Sequence, residues 1–163
     1  MSPGTTLSEY QALAQFRFLI QRYYNNTERS ARSVGLTTQH YRCLLQLRGL
    51  PPDEQPTIRN LAERMQIRHH SAVELVDRME KRGLFRRVRS KQDRRTVLLS
   101  VTPRGEKILS RMVRERIAEL RVTGPDLVKS LAAVIAATSR KTRAAAGNKP
   151  SKIAGTRKVN ASA

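Results

Sequence analysis

Two short stretches hold residues whose types and spacing could do chemistry. Between positions 86 and 95 six cations, Arg86, Arg87, Arg89, Lys91, Arg94 and Arg95, face a single acid, Asp93. Upstream, Arg68, His69, His70 and Ser71 open a helical pattern that continues through Val73, Glu74 and Arg78. Guanidinium groups at that density bind phosphate oxygens and release counterions as they do so. Imidazole and hydroxyl groups in the first turn of a helix can instead reach base edges in a major groove. Neither stretch contains a nucleophile with its base, a Gly-rich phosphate loop or a carboxylate pair with a catalytic reason, so an enzyme is not expected and no cofactor is called for. His69 and His70, with His40 as a third ligand, raise a metal reading. Adjacent helical residues point about 100° apart, and no Cys or acid neighbours them at ligand spacing, so no metal is expected.

The whole chain carries the same chemical bias. Its 163 residues hold 32 Lys+Arg against 13 Asp+Glu, a net charge of +19, and self-repulsion of that size favours a polyanionic partner. Nucleic acid comes first and an anionic membrane surface second. No run approaches the roughly 18 apolar residues of a membrane span, and the N-terminus has no basic segment followed by an apolar run. A cytoplasmic, nucleoid-associated protein is expected, with no membrane partner. The single cysteine, Cys43, excludes an internal disulfide framework and fits a reducing compartment. As a small hydrophobe it would be inert; as a thiol sensor it would need a stabilised thiolate and access to oxidant.

These residues need elements to position them. From Leu7 to about Arg32 the residues Leu7, Tyr10, Leu13, Phe16, Ile20 and Tyr23 form one helical stripe, with Phe18, Leu19 and Tyr24 off it. A helix apolar on two faces touches its own core and something else, and a second subunit is the natural candidate. Thr37 caps a helix carrying Tyr41, Leu44, Leu45 and Leu47, and the loop from Gly49 to Pro56 follows it. Thr57 caps a short helix with Ile58, Leu61, Ala62 and Met65. After a tight break a third helix spans about Arg68 to Arg82, burying Ala72, Leu75, Val76 and Met79, and Gly83 ends it. The period then changes to that of strands at Phe85–Arg89 and Thr96–Val101, joined by the charged loop. Thr102–Pro103 starts a helix with Ile108, Leu109, Met112, Val113, Ile117 and Leu120. Gly124–Pro125 is expected to interrupt it before a last helix with Leu127, Leu131, Val134 and Ile135 that frays after Thr138. From Arg140 to Ala163 there are seven Lys or Arg and no acid. Too few apolar residues follow to offset the entropy of ordering, so a disordered basic tail is expected.

The expected fold is mainly α with a small β-hairpin. The residues divide into an N-terminal helix (1–36), a DNA-binding lobe (37–102), C-terminal helices (103–139) and the tail (140–163). The helix from Arg68 would enter a major groove, and the hairpin would follow the phosphates or the minor groove beside it.

The segments Leu36–Thr37–Thr38–Gln39, IRNLAERMQIRHHSAVELVDRMEKRGLFRR and DRRTVLLSVTPRGEKIL together resemble the MarR (multiple antibiotic resistance regulator) family, over about Leu7 to Leu120. The most specific elements are LVDRMEKRGL, Asp93–Arg94–Arg95 and Thr102–Pro103–Arg104–Gly105, in the family's order and spacing. The resemblance implies a winged helix-turn-helix between N- and C-terminal helices that dimerise. It further implies repression at palindromic operators of double-stranded DNA and release by a small phenolic or lipophilic effector. It gives Asp93 the task of orienting Arg95 within the wing, and offers Arg94 and Arg95 for the minor groove without choosing between them. Arg68 and Val73 depart from the family, in which Ser or Asp, and Thr or Ser, are common at those places, so the operator cannot be borrowed from a relative. Phe16, Ile20, Tyr23, Tyr24 and Tyr41 could line a cleft between the dimerisation helices and the DNA-binding lobe, with Tyr23 and Tyr41 as ligand contacts; packing explains them equally well. Two other readings stay open: a basic architectural nucleoid or RNA-binding protein, and a redox-sensing regulator acting through Cys43.

Overall fold

The computed structural model describes residues 5–90, 93 and 95–146, with side chains through Ala137. Helix α1 spans Leu7–Ser33 and starts in a capping box, in which Thr6 accepts from the Glu9 backbone while the Glu9 carboxylate accepts from Thr6 N at 2.6 Å. Helix α2 (Thr38–Arg48) is capped by Thr37, and α3 (Ile58–Met65) by Thr57, which accepts from Asn60 N at 3.2 Å. Gln66 then takes the left-handed conformation at φ 55 and turns the chain into α4 (His69–Lys81). Gly83, at φ 66, ends α4 where a side chain would be strained.

Strands β1 (Phe85–Arg89) and β2 (Val97–Val101) pair antiparallel with Phe85 opposite Val101 and Arg89 opposite Val97. Leu99 N also donates to Pro56 O at 2.6 Å, so the segment before α3 braces the hairpin from its other edge. Thr102 caps α5 (Pro103–Ala146) by accepting from Gly105 N at 3.1 Å, and its hydroxyl donates to Gly83 O at 2.6 Å. One residue therefore ties the end of α4 to the start of α5. Gly105 lies so close to the hairpin that a Cβ there would stand 2.5 Å from Leu84 O and 2.8 Å from Val101 Cγ1. Leu44, Leu61, Met65, Leu75, Met79, Leu84, Phe85 and Met112 fill the core of this lobe.

The structure separates the two apolar faces of α1 and corrects three expectations. Leu7, Tyr10 and Leu13 of the stripe stand outside the chain's own core, at 72%, 63% and 51% exposed. The residues of α1 buried within the chain are Leu19, Thr27 and Ala31, because α5 is the main element that α1 packs against, and small side chains let two backbones approach. Leu45 likewise stands 36% exposed, and Cys43 takes the buried place on α2. Gly124–Pro125 does not interrupt α5, which runs through Pro125 as one helix. Proline removes one backbone bond at about 3 kcal/mol, but the Arg121 carbonyl it leaves free sits on an exposed residue that water can solvate, and packing on α1 carries the helix onward. Finally, α5 continues to Ala146 rather than fraying at Thr138. Ala, Arg and Lys are strong helix formers, cations suit a helix C-terminus, and extending an existing helix needs no new nucleation. The rest of the expected tail, 147–163, lies outside the described residues.

Candidate nucleic-acid interface

Helix α4 divides cleanly. Ala72, Leu75, Val76 and Met79 are buried in the lobe, which leaves Arg68, His69, His70, Glu74 and Arg78 exposed and Ser71 and Val73 half-buried on the outer side. Arg68 is the N-cap and makes no side-chain cap bond, so its guanidinium is not spent on the helix it starts. Arg78 stands 3.8 Å from Glu74, an exposed i,i+4 pair that contributes at most about 0.5 kcal/mol and yields readily to a phosphate.

The hairpin tip is built around Asp93. One carboxylate oxygen accepts from Arg95 N at 2.9 Å and the other from Thr96 Oγ1 at 2.8 Å, while Thr96 N donates back to Asp93 O at 2.9 Å. The Arg95 backbone N–H first, and the Thr96 hydroxyl second, hold the Asp93 carboxyl below its ordinary range. The bond from Arg95 N to Asp93 fixes the Arg95 backbone in the turn. The Arg95 and Arg89 side chains are exposed. Lys91 and Arg94 lie outside the described residues.

Arg87, one of the six cations of the run, has a different task. Its side chain donates to Asp77 at 2.5 Å and also to Glu80, and its backbone N donates to Glu80 Oε1 at 3.1 Å. Hydrogen bonding to Asp77 above all raises its pKa, so the group is fixed as a cation. Strand β1 is thereby clasped to the outer turns of α4, and the spacing between helix and hairpin is set by a network of charges. The sequence did carry this signal. In a period-2 strand Arg87 shares the face of buried Phe85, and Asp77 and Glu80 sit one turn apart on α4.

The histidines do not converge. His69 and His70 are exposed, whereas His40 is buried in the cap of α2, its Nδ1 accepting from Thr37 N at 3.2 Å. Burial, then Arg82 and Arg78, lower its pKa. Among the described residues no group of three His, Cys, Asp or Glu could hold a metal ion. Cys43 is fully buried and its thiol is pushed up to about 12 by desolvation. It packs as a core residue in this conformation, with neither the thiolate nor the access that a sensor needs.

Tyr41 is buried, and burial followed by the proximity of Tyr23 raises its pKa while Arg116 lowers it. Tyr23 meets Tyr24 edge to face, with centroids 6.1 Å apart. An open cleft of about 400 Å³ between α1 and α5 is lined instead by Asn26, Arg29, Ser30, Arg116 and Glu119. There Arg116 is paired with Glu119 at 2.5 Å and its Nε is buried without a hydrogen-bond partner. The aromatic pattern did not point to these polar residues. Among the described residues no helix is long and apolar enough to cross a membrane.

The comparisons with known proteins agree with this geometry. A model described as the MarR family matches residues 34–96, from the turn before α2 to the end of the hairpin loop. The uncharacterized HTH-type transcriptional regulator YsmB of Bacillus subtilis (strain 168) is 35% identical over 65 residues, 40% of this chain and 44% of that protein. The chain therefore aligns with less than half the length of this relative. AbsC, a MarR family transcriptional regulator from Streptomyces coelicolor, has a TM-score of 0.65 at 21% identity, covering 90% of this chain and 100% of that one. The transcriptional repressor CouR, bound to a 23-mer DNA duplex, has a TM-score of 0.57 at 27% identity, covering 76% and 88%. CouR from Rhodococcus jostii RHA1 has also been solved with p-coumaroyl-CoA, with a TM-score of 0.54 at 24% identity over 61% and 68%. The fold is that of the winged-helix MarR regulators.

Proposed function

We propose, from the match of residues 34–96 to the MarR family model and the winged-helix fold shared with MarR regulators, that this chain is a sequence-specific double-stranded DNA-binding transcriptional regulator of that family. It acts as a homodimer on a palindromic operator and as a repressor released by a small molecule. One observation carries the DNA reading. The N-terminal turn of α4 exposes Arg68, His69 and His70 beside a hairpin that exposes Arg89 and Arg95, and the clasp from Arg87 to Asp77 and Glu80 makes the two a single unit. That unit presents base-reading groups flanked by phosphate ligands. Ser71, Val73, Glu74 and Arg78 lie along the same helix face, and Lys91, Asp93 and Arg94 belong to the wing.

Dimerisation is supported by apolar side chains that this chain does not cover. Tyr10, Leu13 and Phe18 on α1, and Ile117, Leu120, Val128, Leu131 and Ile135 on α5, are all exposed, and large apolar side chains concentrated on two helices mark an interaction surface. A two-fold partner would cover it and repeat the reading unit on a second half-site. The effector is a small phenolic or lipophilic molecule, taken up between α1 and the DNA-binding lobe near Tyr23 and Tyr41. We place the protein in the cytoplasm, with no enzymatic activity.

Sequencing the DNA fragments retained by the purified protein, then measuring specific against nonspecific affinity at physiological salt, tests this reading. A regulator gives a palindromic motif and a ratio of about 10³–10⁷. No motif and a ratio near unity would make the chain an architectural binder, as its net charge of +19 alone would allow.

A further inference from the structure

Helix α5 carries a second concentration of positive charge, which starts beside the base of the hairpin and runs away from it along the helix. Arg104, Lys107, Arg111, Arg114 and Arg121 follow the 3–4 spacing of one helix face, with Ala118 in the intervening place, and all five are exposed. At about 100° per residue this stripe lies roughly a quarter turn from the apolar stripe of Ile117, Leu120, Val128, Leu131 and Ile135. A partner subunit covering the apolar stripe therefore leaves most of the basic one in solvent. Among the described ion pairs of α5 only Glu115 meets a member of the stripe, Arg111 at 3.1 Å, and Asp126 lies beyond its end at Arg121. Glu106 is paired with Arg48 and Glu119 with Arg116, and Glu115 accepts from Ser30 at 2.6 Å while also pairing with Arg111. Seventeen residues of helix extend about 25 Å, a length that faces several phosphates of a duplex carrying one charge per ~1.7 Å of its axis.

We propose that, in a protein that reads its operator through α4, this stripe is a second, sequence-independent surface for double-stranded DNA, so that one dimer holds two duplex segments at once. Charge complementarity defines the occupant. The cations are spaced at one to two helical turns, with no base-reading polar group among them, so they suit a regular polyanion backbone. A dimer already seated on its operator meets further duplex at the high effective concentration that a continuous polymer provides. The surface begins at Arg104, next to the wing, and runs away along α5, so a segment lying on it is distinct from the one in contact with His69 and His70.

The test uses the full-length protein. Operator affinity is measured first and by itself, so that loss of specific binding in the wild type counts against the regulator and not against the stripe. Operator-bound dimer on beads is then offered a labelled duplex of unrelated sequence. The wild type should capture it. The variant Lys107→Gln, Arg111→Gln, Arg114→Gln should keep operator affinity within about twofold, lose second-duplex capture by about tenfold or more, and lower its salt slope by about three. All three positions are exposed and Gln suits a helix, and circular dichroism verifies the fold. A charge-matched control, Arg17→Gln, Arg22→Gln, Arg32→Gln on α1, should leave capture within about twofold of wild type. The proposal is overturned if the wild type captures no second duplex or the α5 variant captures it normally. It also fails if both triple variants lose capture equally, if operator affinity falls in step with capture, or if anionic phospholipid vesicles displace the second duplex in preference to free DNA.

Discussion

Replacing Arg87 by Met removes the guanidinium that holds the wing to α4 and keeps most of the aliphatic stem. The side chains involved are partly solvated, Arg87 at 29%, Asp77 at 47% and Glu80 at 38% exposed. Each ion pair is therefore discounted to about 0.5–1 kcal/mol, and the linked pair comes to about 1–2 kcal/mol. The variant should unfold at lower denaturant by that amount, and a double-mutant cycle with Asp77→Asn should return a coupling of about 0.5–1 kcal/mol. DNA binding then has to supply the ordering that the clasp supplied. Operator affinity should fall by at most the same free energy, about 5–30-fold. The salt slope is the deciding readout. Since two carboxylates already hold the Arg87 charge, no phosphate counterion is displaced by it and the slope should stay at its wild-type value. If Arg87→Met leaves stability untouched and lowers the slope by about one unit per subunit, Arg87 is a phosphate ligand and the clasp does not position the wing.

Further outcomes follow from single contacts. Gly105→Ala should lower stability by about 1–3 kcal/mol, because its Cβ would meet the backbone oxygen of Leu84, whereas Gly124→Ala, with nothing within 4 Å, should raise it by about 0.5–1 kcal/mol; thermal melts of both decide. Arg95→Ala should weaken operator binding and lower the salt slope by about one per subunit while the fold is retained, and an unchanged slope would move the phosphate contact to Arg94. His40, whose pKa is lowered by burial and by Arg82 and Arg78, contributes stability that is present in full above the unfolded-state value and is lost as pH falls below it, since the unfolded chain then binds the proton more readily. Urea midpoints at pH values on either side of that range should drop for the wild type on acidification and drop less for His40→Gln.

Much of the lobe was legible because its rules are local. Thr37, Thr57 and Thr102 are hydroxyl caps ahead of apolar periodicity, and Gly83 sits where α4 must reverse. Each was readable without knowing what lay across the core. The exposed face of α4 followed from the same period, since burying Ala72, Leu75, Val76 and Met79 turns Arg68, His69, His70, Glu74 and Arg78 to solvent. What could not be read was decided by neighbours distant in sequence. Two apolar faces on α1 were legible, but which of them meets α5 was not, because a sequence does not say whether a partner is the same chain or a second one. Pro125 looked like a helix end because its local cost is real, and only the contact of α5 with α1 outweighs it. Arg87 looked like a phosphate ligand because its six-cation run is uniform in type, and period-2 geometry alone separates the cation that turns inward. The cleft around Arg116 joins residues more than eighty positions apart, a pairing that no spacing within one helix announces.

The distribution of acids explains how a chain of net charge +19 can fold and still leave its cations for DNA. Of thirteen Asp and Glu, nine are in ion pairs: Glu28, Glu54, Glu63, Glu74, Asp77, Glu80, Glu106, Glu115 and Glu119. Glu9 closes the cap of α1 and Asp93 closes the wing turn. Four of the nine paired acids join separate elements, Glu54 to α3 through Arg64, Glu106 of α5 to α2 through Arg48, and Asp77 and Glu80 of α4 to β1 through Arg87, while the other five pair within their own helices. Cations left over at Arg68, Arg89 and Arg95, and along α5, repel one another in the free protein. Their repulsion is relieved when phosphates replace the missing acids, and anything that binds the folded chain alone stabilises it. Acids that join elements and cations that face outward are thus two halves of one arrangement, in which the proposed DNA partner would supply the missing negative charge.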